Sequence, residues 1–156
     1  MTDDFRIRTA TPDDLDEAAR LFDAYRQFYG QPTDPAAGRA FLAERMAQRE
    51  SLLLLAWQGG RAVGFAQLYP MFSSVRMVPV FVLNDLYVDA NARRTGVGRR
   101  LLDASAVAAR AAGARRIVLE TAVENLAARA LYRDAGWDEE STQWYALDLA
   151  ESRVDG

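Results

Sequence analysis

The chain contains no cysteine and no histidine among its 156 residues. The first absence excludes a disulfide scaffold, a thiolate nucleophile and any cysteine-based zinc or iron–sulfur site. The second removes the Ser-His-Asp and Cys-His arrangements, the HExxH metal motif and the usual general base near neutral pH. No metal site is therefore expected, and catalysis would run on carboxylates, tyrosine, water or backbone dipoles. Long hydrophobic runs are also missing: the longest, Ser51 to Trp57, is far too short to cross a bilayer. Met1-Thr2-Asp3-Asp4 is acidic where a secretory signal would be basic. Nineteen basic residues against 22 acidic ones leave a net charge of −3, without the basic footprint of a general nucleic-acid binder. These absences predict a cytoplasmic protein whose partners include neither a membrane nor a nucleic acid.

The remaining composition, 50% apolar and 26% charged, is ordinary for a compact domain. A chain this long buries roughly two-thirds of its unfolded surface. One domain over residues 1–156 is expected, with 151–156 as a solvated tail. There is no internal repeat and no low-complexity segment.

Phe5 to Ala10 alternates as a first strand, and Thr11-Pro12-Asp13-Asp14 starts a helix with a cap hydroxyl, a proline and acids at the positive end. That helix carries Leu15, Ala18, Ala19, Phe22 and Tyr25 on one face and stops at Gly30-Gln31-Pro32. Asp34-Pro35 opens a second helix to about Gln48. Leu52–Trp57 and Ala62–Tyr69 flank Gln58-Gly59-Gly60-Arg61 as a hairpin. A loose connection around Ser73-Ser74 leads to a strand over Val80–Val88. A helix opening in Arg93–Arg100 closes at Gly113. A strand over Arg116–Thr121, a helix from Asn125 to about Ala135 and at least one strand within Trp137–Leu149 complete the order β-α-α-β-β-β-α-β-α-β.

Between a hydrophobic strand and an amphipathic helix lies Arg93-Arg94-Thr95-Gly96-Val97-Gly98-Arg99-Arg100-Leu101. Glycines let the backbone turn its N–H groups into one concavity, the helix adds its positive end, and arginines add mobile charge, which together suit a pyrophosphate. The plainer alternative is a glycine turn with solvated arginines. A dinucleotide fingerprint would need glycine or alanine where Leu101 stands, and a P-loop would need Lys-Ser/Thr where Arg99-Arg100 stand. Further on, Asn125, Arg129 and Tyr132 share one helical face, with the alternative that Asn125 merely caps the helix and Tyr132 packs.

Together these segments resemble the GCN5-related N-acetyltransferases, over Phe5 to Leu149. The residues that carry the resemblance are Arg93-Arg94-Thr95-Gly96-Val97-Gly98, the preceding Leu83-Asn84-Asp85-Leu86-Tyr87-Val88, and Asn125 with Ala130-Leu131-Tyr132 and Gly136-Trp137. Gly64-Phe65-Ala66 and the Leu83–Val88 strand look similar to the diamine-acetyltransferase branch. The resemblance implies a mixed α/β fold: a largely antiparallel sheet of six to seven strands, helices on both faces, and two parallel strands, Val80–Val88 and Arg116–Thr121, splayed to hold acetyl-CoA.

Carried over by residue, Arg93, Arg94, Thr95, Gly96, Val97, Gly98 and Arg99 would hold the pyrophosphate. Leu86, Tyr87 and Val88 would pair with the pantetheine arm, Asn125 would contact that arm, and Tyr132 would give its proton to the departing thiolate. An unperturbed phenol, with pKa of about 10, is protonated at neutral pH and suits that role. An alkylamine acceptor is free base in only about one molecule in 2,500 at pH 7, so a base is wanted. Asp85 is the candidate, with Glu120 beside it. Asn84 stands where the diamine branch usually carries glutamate. Tyr25 and Tyr29 begin the aromatic segment expected to meet the acceptor; alternatively these aromatics pack on the sheet and the following hairpin meets a second subunit in a homodimer. Trp57, Trp137 and Trp144 are expected in the core or at an interface.

The function so implied is acetyl transfer to a small primary amine through a ternary complex. A protein or peptide N-acetyltransferase and a non-catalytic CoA-binding sensor are the alternatives.

Overall fold

The computed structural model describes residues 4–150. Five strands, β1 (Phe5–Thr9), β2 (Leu52–Gln58), β3 (Arg61–Ser73), β4 (Val78–Val88) and β5 (Arg116–Val118), form one sheet in that spatial order. The first four are antiparallel neighbours, whereas β5 joins β4 in parallel. Such a pair needs a crossover, and α3 (Val97–Ala111) supplies it. The helices α1 (Leu15–Phe28) and α2 (Pro35–Ala47) connect β1 to β2, and α4 (Leu126–Asp134) follows β5. No helix among the described residues is long and apolar enough to cross a membrane.

The mixed α/β architecture with helices on both faces is as expected, but five strands form where six to seven were anticipated. The expected strand within Trp137–Leu149 does not form; the described part of that stretch has no ladder. Alternating apolar residues make a segment competent for a strand, but a strand exists only when a neighbour takes its backbone hydrogen bonds. Trp144 is accordingly exposed, whereas Trp57 is buried and Trp137 packs against the core. β5 ends at Val118, three residues short of the predicted Thr121. In place of a loose connection, β3 and β4 form a long hairpin turning through residues 74–77. The anticipated tail at 151–156 lies outside the described residues.

Both faces of β2 are covered, which explains its unbroken apolar run. Leu53, Leu55 and Trp57 pack with Leu15, Leu21, Phe22 and Leu42 of α1 and α2. Leu54 and Ala56 join Leu101, Leu102 and Ala109 of α3 on the other side. The entry to α1 is held by Asp14, whose carboxylate accepts from Arg8 at 2.6 and 2.8 Å and from the Thr11 N–H at 2.8 Å. The Arg8 hydrogen bonds hold the Asp14 carboxyl at about 2.

Two local features aim the strands at the site. On β3, Gln67 faces Asp85 while Leu68 faces Leu83, so Asn84 is an extra residue on β4, a bulge that bends the strand. The β4–β5 ladder runs from Val80 to Val82 and goes no further. Gly64 is the second feature: a Cβ there would lie 2.9 Å from the Tyr87 carbonyl oxygen and 3.1 Å from Leu101 Cδ1. A hydrogen at this position therefore lets α3 and β4 close on β3 together.

Gly64→Ala is expected to cost about 1–3 kcal/mol through overpacking, read as a fall of several degrees in Tm; an unchanged midpoint would show that β4 and α3 do not close there. Because folding lowers the Asp14 pKa to about 2 from about 3.9, its stabilisation is present above pH ~4 and is lost as pH falls through about 2. Denaturant titrations from pH 5 to 2 should show a shallower loss of stability for Asp14→Asn than for the parent, and parallel curves would contradict this.

Candidate active site

Beyond Val82 and Val118 the two parallel strands part. The gap is a cleft of about 230 Å³, walled on one side by Leu83, Asn84, Leu86, Tyr87 and Val88 and on the other by Leu119, Glu120 and Thr121. Asn125, Ala128, Leu131 and Tyr132 of the α4 region close one end, and Tyr25, Phe28 and Tyr29 come from α1 and its C-terminus. Residues 86–88 of β4 pair with Gly64, Phe65 and Ala66 on one side. Their other edge has no strand beside it among the described residues, so it can take an extended ligand.

At the α3 end, Arg94 and Gly96 have left-handed φ values of +64° and +85°. Gly96 is the N-cap and brings no side chain to the first-turn amides. Their N–H groups therefore stay open to an anion, next to the positive end of the helix. Gly98 lies on the cleft wall, where a Cβ would meet Leu131 Cδ2 at 3.7 Å and Val88 Cγ2 at 3.8 Å, ordinary packing distances. The Thr95 hydroxyl donates to the Ala92 carbonyl, fixing the turn before the helix.

The arginines diverge in placement. Arg93 lines the cleft, donating from Nε to the Val88 carbonyl at 3.0 Å, with its guanidinium over the Tyr87 and Phe28 rings. Arg94 is exposed and has no hydrogen-bond or ion-pair partner among the described residues. Arg99 instead pairs with Asp103 and donates to the Asp134 carbonyl, tying α3 to α4. Val97, expected to touch the cofactor, is buried in the core, so its side chain serves packing and only its backbone remains for a ligand.

Asp85 is buried behind the β4 wall. Gln67 Nε2 donates to it at 2.8 Å and Asn84 Nδ2 at 2.9 Å. The Tyr25 hydroxyl also hydrogen-bonds to it. Burial, then the Asp85 charge, push the Tyr25 pKa far above the ordinary tyrosine value. Tyr69 is pushed up to about 12 by burial and by the same charge. Both phenols stay neutral and can donate. Tyr132 is likewise raised, first by burial and then by Tyr29; it is half-buried and 6.3 Å from the Trp137 ring centre.

Of the expected site residues, the cleft brings together Tyr25, Tyr29, Asn84, Leu86, Tyr87, Val88, Arg93, Gly98, Glu120, Asn125 and Tyr132. Asp85 stands behind them, and Arg94, Thr95 and Gly96 form the turn at the rim. Asn125 lines the cleft and also caps α4, accepting from the Ala128 N–H at 3.2 Å. Gln67 escaped the sequence reading. Its Nε2 binds Asp85, and its Oε1 is a buried acceptor without a donor among the described residues. A lone amide inside the buried run Phe65-Ala66-Gln67-Leu68 was the available signal.

The acetyltransferase (GNAT) family model matches residues 18–137. The chain is 43% identical, over 86% of its length and 91% of the relative's, to the uncharacterized N-acetyltransferase YhfO of Bacillus subtilis. It is 30% identical to an aminoglycoside N(6')-acetyltransferase type 1 of Stenotrophomonas maltophilia, covering 94% of this chain and 95% of that one. The crystal structure of a probable acetyltransferase superposes with a TM-score of 0.88 at 39% identity, covering 94% of this chain and 99% of that one. With the parted strands, the glycine-capped helix and these likenesses in agreement, the chain belongs to the GNAT family of N-acetyltransferases.

Proposed function

We propose that the protein transfers an acetyl group from acetyl-CoA directly to the primary amine of a small molecule. The observation that carries this is the cleft itself: an unpaired strand edge runs from a glycine-capped helix terminus to a buried carboxylate. A gap of about 230 Å³ is smaller than the roughly 300–1,000 Å³ of enclosed small-molecule sites. It suits a thin pantetheine arm and its thioester, with the nucleotide left on the open rim.

In this reading the first-turn amides of α3, with Arg93 and Arg94, neutralise the pyrophosphate. The edge of Leu86–Val88 aligns the arm as an added strand would, and Asn125 flanks it. The amine nitrogen forms a bond to the thioester carbon as the C–S bond breaks, and the Tyr132 hydroxyl gives its proton to the leaving sulfur. The raised pKa keeps that proton in place at neutral and mildly alkaline pH. Asp85 draws a cationic amine toward the cleft. With Tyr25 and Asn84 between it and the gap, it takes up the amine's proton through an intermediary rather than by contact. Glu120, exposed on the opposite wall, is the carboxylate that lines the cleft itself. Holding amine and thioester at contact supplies about 7–11 kcal/mol of the barrier reduction without a strong base.

A small cationic acceptor is favoured by the aromatic faces of Tyr25, Phe28 and Tyr29 that line the cleft. The chain has no lysine, so its own side chains offer no competing alkylamine.

Thiol release from acetyl-CoA with a panel of small amines tests the proposal. Tyr132→Phe should lower kcat by about 10²–10⁴-fold, the range of general acid catalysis, with CoA affinity nearly unchanged. Asp85→Asn should lower kcat and raise KM for cationic amines. Equal rates for Tyr132→Phe and the parent would remove Tyr132 from the chemistry, and amine-independent thiol release would argue against acetyl transfer to amines altogether.

A further inference from the structure

Gln67 sits in β3 among Phe65, Ala66 and Leu68, and like them it is buried. Nothing in the packing of that strand asks for an amide. Its Oε1 is a buried acceptor without a donor among the described residues, which is a standing cost to folding. The other end of the same amide explains why it is kept: Nε2 donates to Asp85 Oδ2 at 2.8 Å.

The bulge on β4 sets up this contact. Leu83 packs in the core on the α3 side, so in a regular strand Asp85, two residues on, would point the same way. The extra residue Asn84 reverses the alternation and puts Asp85 opposite Gln67, on the face where Phe65 and Tyr87 meet α1. There the two carboxylate oxygens are held separately, Oδ2 by Gln67 and Oδ1 by Asn84 Nδ2 at 2.9 Å. Gln67 is the buried partner, whereas Asn84 is exposed and lines the cleft. Oδ1 is thus the oxygen on the cleft side.

Buried carboxylates ordinarily have a cation beside them. Asp85 has no ion pair among the described residues. Arg45 of α2, close enough to act on Tyr69, is engaged by Glu44 and Glu50. Gln67, Asn84 and the Tyr25 hydroxyl are all neutral, so they direct the Asp85 charge without cancelling it. An arginine at position 67 would neutralise that charge, and a glutamate would add a second one.

We propose that Gln67 is a positioning residue for acetyl transfer: its amide anchors Oδ2 of Asp85 so that Oδ1, by way of Asn84, is turned to the incoming ammonium group. This rests on the reading of Asp85 as the group that draws and deprotonates the amine.

Gln67→Met keeps the length of the side chain and removes both polar atoms. It should fold with a Tm close to the parent's, because the orphaned acceptor leaves together with the donor. At saturating acetyl-CoA, kcat/KM for n-butylamine, a cation at neutral pH, should fall roughly 10- to 100-fold. The rate with methoxyamine, uncharged at that pH, should hold, as should KM for acetyl-CoA. In an Asp85→Asn background Gln67→Met should cause no further loss. Equal losses with both amines, no loss with either, or an added loss in the Asp85→Asn background would overturn the inference. A slow Asp85→Asn beside an unimpaired Gln67→Met overturns this inference alone. An Asp85→Asn variant as fast as the parent, or no amine-dependent thiol release by the parent, removes the reading of Asp85 and this inference with it. If Gln67→Met does not fold, Gln67→Leu takes its place, and failure of both would make Gln67 a structural residue and overturn the proposal.

Discussion

The parting of β4 from β5 is the constraint on which the rest depends. An extra residue, Asn84, bends β4 just past the three paired positions from Val80 to Val82. Hydrophobic packing could have zipped the two strands to their ends. Instead the ladder ends there, and the Leu86–Val88 edge beyond it has no strand beside it among the described residues, with the Val88 carbonyl taken by Arg93. Gly64 makes the arrangement affordable by letting the β4 backbone and α3 approach β3 without a clash. The helix terminus is thereby held at the mouth of the gap.

The cleft is electrically polarised along its length. One end offers the open amides of α3, Arg93 tethered to Val88, and an unpartnered Arg94. Behind the other stands Asp85, its carboxylate held by Gln67, Asn84 and Tyr25. An anionic carrier and a cationic acceptor would thus be drawn to opposite ends, and the proposed chemistry takes place where the two meet. The Tyr25 and Tyr69 phenols stay neutral because burial and the Asp85 charge both oppose their ionisation.

Much of this was legible before any coordinates. Strand and helix periodicities placed β1 to β4 and all four helices, and the glycine-arginine turn marked the start of α3. Arg99 and Val97 show the limit of motif reading: spacing puts both at the cofactor loop, but contacts send Arg99 to Asp103 and Asp134 and Val97 into the core. Gln67 was missed because one amide in an apolar strand has no motif. Asp85 was found on β4 with a strand bulge as its plainer reading; the bulge is present at Asn84, whereas the partners Gln67 and Tyr25 come from elements whose placement against β4 a single sequence does not give. The Trp137–Leu149 stretch has a strand's pattern and lacks a strand's partner, since pairing depends on what lies beside a segment and not on its own residues.

Hydrogen exchange followed by mass spectrometry, with and without coenzyme A, tests whether the parted strands are the seat of the acyl carrier. The account predicts slowed exchange on CoA addition in residues 86–88 and 119–121 and in the first turn of α3, with the β3–β4 turn at 74–77 unchanged. Unaltered exchange at all three places under saturating CoA would contradict it.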